Sequence, residues 1–226
     1  MTEPGGFTPA AGRFAPTSVY DRGVALLTRE SVWRSEILKR LSPAPGDSIL
    51  DVGCGTGSLA ILLKRAQPEA RIVGLDPDVK ALAIAQRKAA SAEVEIEWRQ
   101  GFAKDAADFG TFDKVVSSLM FHQVPPGAKR SGISAMFAAA KAGGLVCIAD
   151  YAGQSDWRMR QLFRFIQLID GRANTQLNAD GFIEQELSGI QRKPVAPVFA
   201  INTPTGTISV FCETKAAAPI EQMEAK

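Results

Sequence analysis

Asp51-Val52-Gly53-Cys54-Gly55-Thr56-Gly57 follows the apolar run Ser48-Ile49-Leu50 and leads directly into Ser58-Leu59-Ala60-Ile61-Leu62-Leu63-Lys64. The order is strand, glycine turn, helix start. Glycines at three alternate positions let the backbone turn sharply and approach a ligand, because a Cβ at any of them would collide with it or forbid the required φ. The turn is therefore expected to point its amides at something bound. A second apolar run, Arg71-Ile72-Val73-Gly74-Leu75, ends in Asp76, where a carboxylate can accept both hydroxyls of a ribose. Turn chemistry alone asks for one glycine rather than three.

The spacing separates two kinds of nucleotide. A dinucleotide site needs a further glycine where this chain has Ser58, so that the helix packs close and receives a pyrophosphate on its amino end. The pattern here is G-x-G-x-G with Asp51 ahead of it. That opposes a nicotinamide-dependent oxidoreductase.

With 226 residues, 46% of them hydrophobic, the chain can bury one substantial core. Lys and Arg total 26 against 24 for Asp and Glu, without long runs of either sign, so neither a nucleic-acid track nor a polybasic membrane anchor is indicated. Cys54, Cys147 and Cys212 are scattered, which suits a reducing cytosol better than a disulfide framework. No metal-ligand cluster, basic-then-apolar leader or run of about twenty apolar residues is present. The expectation is a cytoplasmic monomer or homodimer with no integral membrane segment and no nucleic-acid partner.

Residues 1–18, rich in Pro and Gly, read as a mobile leader. Asp21 to Leu41 has helical spacing, and Pro43-Ala44-Pro45-Gly46-Asp47 stops it. Strands near 48–53, 71–76, 93–98, 113–119 and 144–150 then alternate with helices near 57–67, 78–90 and 129–141, which implies a parallel sheet with helices on both faces. Trp157 to Asp170 reads as a Phe-rich amphipathic helix, either a lid over a lipophilic acceptor or ordinary core, with Arg158, Arg160 and Arg164 along it. Ala179 to Leu187 reads as another helix. Strands near 195–202 and 206–213 meet at Thr203-Pro204-Thr205-Gly206 in a hairpin. The fold expected is α/β, a Rossmann-like seven-stranded mostly parallel sheet with helices on both faces and a C-terminal antiparallel hairpin. It would form one domain over residues 19–215, with a helical insertion near 155–190 and a flexible tail at 216–226.

Asp51 with the G-x-G-x-G turn resembles motif I of class I S-adenosylmethionine-dependent methyltransferases. Gly74-Leu75-Asp76-Pro77-Asp78, Phe112 to Val124 and Lys141 to Tyr151 extend the resemblance to small-molecule methyltransferases of the group that includes the ubiquinone and menaquinone biosynthesis C-methyltransferases. It implies S-adenosylmethionine as cofactor and methyl transfer to a small-molecule acceptor, aromatic, quinol-like or lipid-linked, but it does not fix the acceptor. A non-catalytic S-adenosylmethionine-binding protein on the same fold is the alternative.

Carried over residue by residue, the resemblance implies cofactor contacts from Tyr20, Asp51, Gly53, Cys54, Gly55, Gly57, Asp76, Pro77, Gly101, Phe102 and Ser117. Asp51 would meet the ammonium side of the ligand. Tyr20 would cover the methionine moiety by cation–π attraction, or else serve as a hydrophobic staple. The family usually shows Gly-Asp after the third strand, the acid meeting the adenine amino group; this chain has Gly101-Phe102-Ala103, leaving a backbone carbonyl, the Phe102 ring or Asp105 for that contact. Ligands on open α/β sheets lie beyond the carboxyl ends of the strands, so His122 and Tyr151 are the catalytic candidates. His122, the one histidine of the chain, has a pKa suited to taking a proton from a phenol or enol, or it fixes the cofactor-contacting loop. For Tyr151 and Asp150 the structural reading, a strand-end turn with a satisfied side chain, is the favoured one.

Overall fold

The structure, a computed structural model, describes residues 27–216. The Tyr20 expectation, the leader, most of the tail and the start of the Asp21 to Leu41 helix fall outside those residues.

The first described helix, α1 (Glu30–Leu41), ends where Ser42 turns left-handed and its N–H caps the Leu38 carbonyl. It is followed by β1 (Ser48–Val52), α2 (Ser58–Ala66), β2 (Arg71–Asp76), α3 (Val79–Ser91) and β3 (Glu97–Gln100). A 3-10 turn (Ala103–Phe109) leads to β4 (Phe112–Ser118), a second short 3-10 turn (Phe121–Gln123), α4 (Pro126–Ala139) and β5 (Ala140–Tyr151). Three helices then intervene, α5 (Trp157–Asp170), α6 (Arg172–Ala179) and α7 (Phe182–Gln191), before the hairpin β6 (Phe199–Thr203) and β7 (Gly206–Thr214).

The seven strands form one sheet in the order β3-β2-β1-β4-β5-β7-β6. The first five pair in parallel, whereas β7 runs antiparallel to both β5 and β6. The chain winds outward from β1 to β3, then returns to the other side of β1 for β4. That reversal opens a crevice beyond the carboxyl ends of β1 and β4.

β1 explains how one strand serves two cores. Leu50 and Val52 pack with Val73, Leu75, Val115 and Ile148 on one face, and Ile49 packs with Ile72, Val116 and Cys147 on the other. α4 and α7 cover the first face through Ile133, Met136, Ile183 and Leu187. Trp33 and Ile37 of α1, Leu59 and Leu63 of α2, and Phe163 of α5 cover the second. Strands buried on both sides read as near-continuous apolar runs, which is why their positions were legible.

The differences from expectation have local causes. The third strand starts at Glu97 rather than near 93 because the Val94 amide bonds back to Ala89 and keeps those residues at the end of α3. The helix expected over Ala179 to Leu187 is two helices, broken at Gly181 with φ 88°. Pro194 and Pro197 lack the N–H that a ladder needs, and β6 starts after them.

One expectation is overturned. Cys147 and Cys212 form a disulfide with a Cα separation of 4.2 Å. They are 65 residues apart in sequence yet directly opposite one another in the β5–β7 register, a proximity that linear spacing hides. Cys54 alone remains a free thiol, buried under the glycine turn.

Candidate active site

The glycine turn is tied down from within. The amides of Gly53 and Cys54 both donate to the Leu75 carbonyl, at 2.8 and 3.0 Å, and that of Gly57 to the Cys54 carbonyl at 2.9 Å. Gly55 donates to Asp76 Oδ2 at 2.8 Å. The expectation that these amides point at a ligand is therefore corrected: the turn uses them to bend over the end of β2.

The three glycines serve different ends, although each has positive φ. A Cβ at Gly53 would stand 2.4 Å from Met120 Cγ, and one at Gly57 would stand 2.5 Å from the Trp98 ring. Those two let neighbouring side chains pack against bare backbone. A Cβ at Gly55 would meet nothing within 4 Å, so Gly55 faces the open side of the turn.

Asp51, next to last in β1, is wholly buried. Neither carboxyl oxygen has a hydrogen-bond partner. Burial raises its pKa from 3.8 to about 7; the Arg34 charge pulls the other way, Asp76 adds to the rise, and the Ala60 amide at the start of α2 pulls weakly without completing a hydrogen bond. Ser117, near the end of β4, is likewise buried with an unpartnered hydroxyl. Buried polar atoms in native proteins are nearly always bonded, so such orphans at the carboxyl ends of two adjacent strands fit a polar ligand. A cationic group suits Asp51, because it would return the carboxyl to its charged form.

Asp76 is 5% exposed and fastened on both oxygens, by Gly55 and by the Asp78 amide at 2.9 Å. Burial raises its pKa despite those two bonds. Each carboxylate oxygen keeps further lone-pair capacity for a hydroxyl donor. Pro77 follows in a bend. Beyond β3, Gly101 is packed against Leu75 and Phe109. Asp105 is engaged with the Phe102 amide at 3.0 Å, and Phe102 is 47% exposed.

The other expected residues form a different assembly. His122 is 4% exposed; its Nδ1 lies 2.7 Å from Asp150 Oδ1 and its Nε2 3.5 Å from Asp170 Oδ2. Burial alone would lower its pKa, but Asp150, by charge and hydrogen bond, and Asp170 outweigh that and raise it from 6.5 to about 9. Buried, with Nδ1 on Asp150 and Nε2 facing Asp170 and the Gln123 amide at 3.2 Å, the ring is engaged by its own chain on both nitrogens. The reading that fixes a loop is the one the geometry matches.

Asp150 also accepts the amides of Phe121 at 2.6 Å and Tyr151 at 2.7 Å. Lys129, fully buried, donates to the Phe121 carbonyl and to Asn178 Oδ1, the latter at 2.8 Å, and burial lowers its pKa to about 8 against the pull of Asp150. Tyr151 is 1% exposed, shares a 2.6 Å hydrogen bond with Thr205 Oγ1 and packs edge-on to His122 and against Phe163. Its catalytic assignment is corrected too: the hydroxyl is turned to the hairpin.

Sequence reading missed Lys129 and Asp170. Each had a signal in its spacing: Lys129 shares the inward stripe of α4 with Ile133 and Met136, and Asp170 that of α5 with Phe163 and Ile166. A charge on the apolar stripe of a helix announces a buried partner. Among the described residues, no group of His, Cys, Asp and Glu could hold a metal ion.

A parallel sheet closed by an antiparallel hairpin, with a glycine turn and two strand-end acids at its crevice, defines a nucleoside-binding α/β fold of the methyltransferase kind. Residues 49–144 match the model of a family described as "Methyltransferase domain". The ubiquinone biosynthesis O-methyltransferase of Azorhizobium caulinodans is 30% identical over 70% of this chain and 67% of its own length. An uncharacterized methyltransferase of Synechocystis is 35% identical over 53% of this chain and 54% of its own. Magnesium protoporphyrin IX methyltransferase of Synechocystis, solved with bound SAH, superposes with a TM-score of 0.66 at 21% identity, covering 90% of this chain and 89% of that one. The chain belongs to the class I S-adenosylmethionine-dependent methyltransferases, the family whose cofactor is S-adenosylmethionine. It spans about half the length of the Synechocystis relative.

Proposed function

We propose that this chain transfers a methyl group from S-adenosylmethionine to a small, flat or lipophilic acceptor, with residues 19–215 acting as one domain. Asp51 carries the reading. A buried carboxyl with both oxygens unpartnered and its pKa raised to about 7 is a costly arrangement unless a cation completes it. The ammonium side of the methyl donor is such a cation.

Asp76, already the anchor of Gly55, receives the ribose hydroxyls on its remaining lone pairs. Phe102 offers its half-exposed ring to the adenine, because Asp105 is committed to the Phe102 amide. Gly55 leaves room over the turn, and Ser117 supplies a hydroxyl at the end of β4. The bound donor contributes an activated methyl on a positively charged sulfur. The protein then needs to hold the acceptor's nucleophilic atom in line at about 3 Å and to exclude water.

No proton acceptor is assigned, because His122 is buried and held by Asp150 and Asp170. The site therefore favours an acceptor that presents a lone pair or an anion near neutral pH. The near-balance of 26 basic and 24 acidic residues supports a small molecule over a nucleic acid.

Calorimetry with S-adenosylmethionine, followed by transfer of a labelled methyl group to a panel of quinols, catechols and heterocyclic amines with ribosomal RNA as a separate arm, tests this. Donor binding that is lost in Asp51→Ala, with label on a small acceptor, is the expected result. Failure to bind the donor, or a melting temperature raised by NAD instead, would sink it.

A further inference from the structure

α5 has apolar residues on two sides. Phe163 is buried against Tyr151 and the hairpin, and Ile166 packs on the same core. On the opposite side, Trp157 is 69% exposed, Leu168 84%, Phe165 and Ile169 51% each, and Leu162 40%. At helical spacing these five residues span roughly 140° of the helix surface, centred away from Phe163. Scattered exposed apolar residues are ordinary; five on one helix face form a surface that wants a partner.

The charges on that helix choose the partner. Arg158 and Arg164 lie on or beside the apolar face, and Arg172 follows the helix end; among the described residues none of the three pairs with a carboxylate. Arg160 is engaged with Asp180 and the Gln154 and Ala179 carbonyls. Neither acid at the helix ends offsets the basic face: Asp156 caps the amides of Arg158 and Met159, and Asp170 faces inward to His122. A second copy docking through this face would set unpaired arginines near one another with no acid between them. An anionic surface with an apolar interior meets both demands, and a helix with Trp, Phe and Leu exposed among arginines has the composition of an interfacial membrane helix.

We infer that α5 is a docking face for anionic lipid bilayers, lying flat with Trp157, Phe165, Leu168 and Ile169 in the headgroup boundary and Arg158 and Arg164 on lipid phosphates. Its carboxyl end is fastened to His122 beside the crevice, so docking brings the acceptor side of the sheet to the membrane surface. That consequence rests on the lipophilic acceptor proposed above; the binding itself does not.

The test uses the full chain and vesicles of phosphatidylcholine alone or mixed with phosphatidylglycerol. Co-sedimentation with the mixed vesicles only, weakened by salt and accompanied by a blue shift of tryptophan emission, is the expected result. Leu168→Glu, at a position too exposed to unfold the protein, should reduce binding roughly tenfold or more, and Arg158→Gln with Arg164→Gln by a similar factor. S-adenosylmethionine affinity should stay unchanged in both. Absence of binding to phosphatidylglycerol vesicles, undiminished binding by Leu168→Glu, or a concentration-dependent dimer that Leu168→Glu dissolves would each overturn the inference. Loss of donor binding in the unmodified chain would count against the methyltransferase reading and leave the vesicle result standing.

Discussion

Asp51 and Asp150 are both carboxylates at the ends of strands in one sheet, and both have no solvent exposure. Asp150 is surrounded by donors: the His122 ring and the amides of Phe121, His122 and Tyr151. Asp51 has none. A buried acid saturated by its own chain is part of the framework, and its loss is felt in stability. A buried acid left unbonded is a place where a ligand completes the chemistry, and its loss is felt in affinity. The residues first expected to be catalytic lie on the saturated side.

The contrast can be broken by mutation, beginning with the turn on the Asp51 side. Gly57→Val should be the most damaging change, because its Cβ would stand 2.5 Å from the Trp98 ring on a backbone with φ 76°; a loss of about 3 kcal/mol or more in denaturant unfolding is expected. Gly55→Val has open space, so it should cost only the strain of its positive φ, about 1–2 kcal/mol and less than Gly57→Val, while losing donor binding in calorimetry. Equal stability losses in the two variants would erase the distinction drawn between them.

His122→Ala should cost about 3 kcal/mol at neutral pH, since it removes the ring that is hydrogen-bonded to buried Asp150. His122 has a folded-state pKa raised from 6.5 to about 9, so its stabilisation is full below the lower value and fades as pH rises through the upper one. The stability gap between variant and parent should therefore narrow as pH rises through about 9, leaving the packing loss of the buried ring. Donor affinity should change little. A variant as stable as the parent at pH 7 would place His122 outside the framework.

Asp51→Asn should weaken S-adenosylmethionine binding roughly ten- to a hundredfold, yet stabilise the ligand-free chain at pH 8. The Asp51 pKa is raised from 3.8 to about 7 on folding, so its destabilising effect is absent below the lower value and grows as pH rises to the upper one. The parent should lose more stability across that window than the variant, in which buried Asp76 still contributes a loss, a difference that thermal unfolding at a series of pH values reads directly. Smallest of all, Asp170→Asn should cost less than about 1 kcal/mol, because its contact with His122 is long at 3.5 Å; an effect as large as that of His122→Ala would move the centre of the network to α5.

Sequence made the open side legible and hid the saturated one, for a physical reason. The glycine turn, Asp51 and Asp76 are adjacent to the strands that carry them, so one local pattern places them all. Asp150, His122, Lys129, Asn178 and Asp170 come from separate segments, and only packing brings them together. The disulfide is hidden likewise, since Cys147 and Cys212 are neighbours only through the β5–β7 register. The helices after β5 were half legible: α5 announced itself by amphipathic spacing, whereas α6 buries Thr175 and Asn178, polar residues that carry no apolar period.

Trp98 binds the histories of two other positions together. Its ring fills the space that Gly57 and Gly74 leave bare, and at Gly74 a Cβ would meet that ring at 2.5 Å with no positive φ to add a second obstacle. A smaller residue at 98 would remove the nearest obstacle to alanine at 74, leaving the Cys54 sulfur at 3.0 Å to give slightly, whereas position 57 would keep its positive φ and Ala85 at 2.9 Å. Any side chain at 74 should therefore be found only where the residue at 98 is smaller than tryptophan.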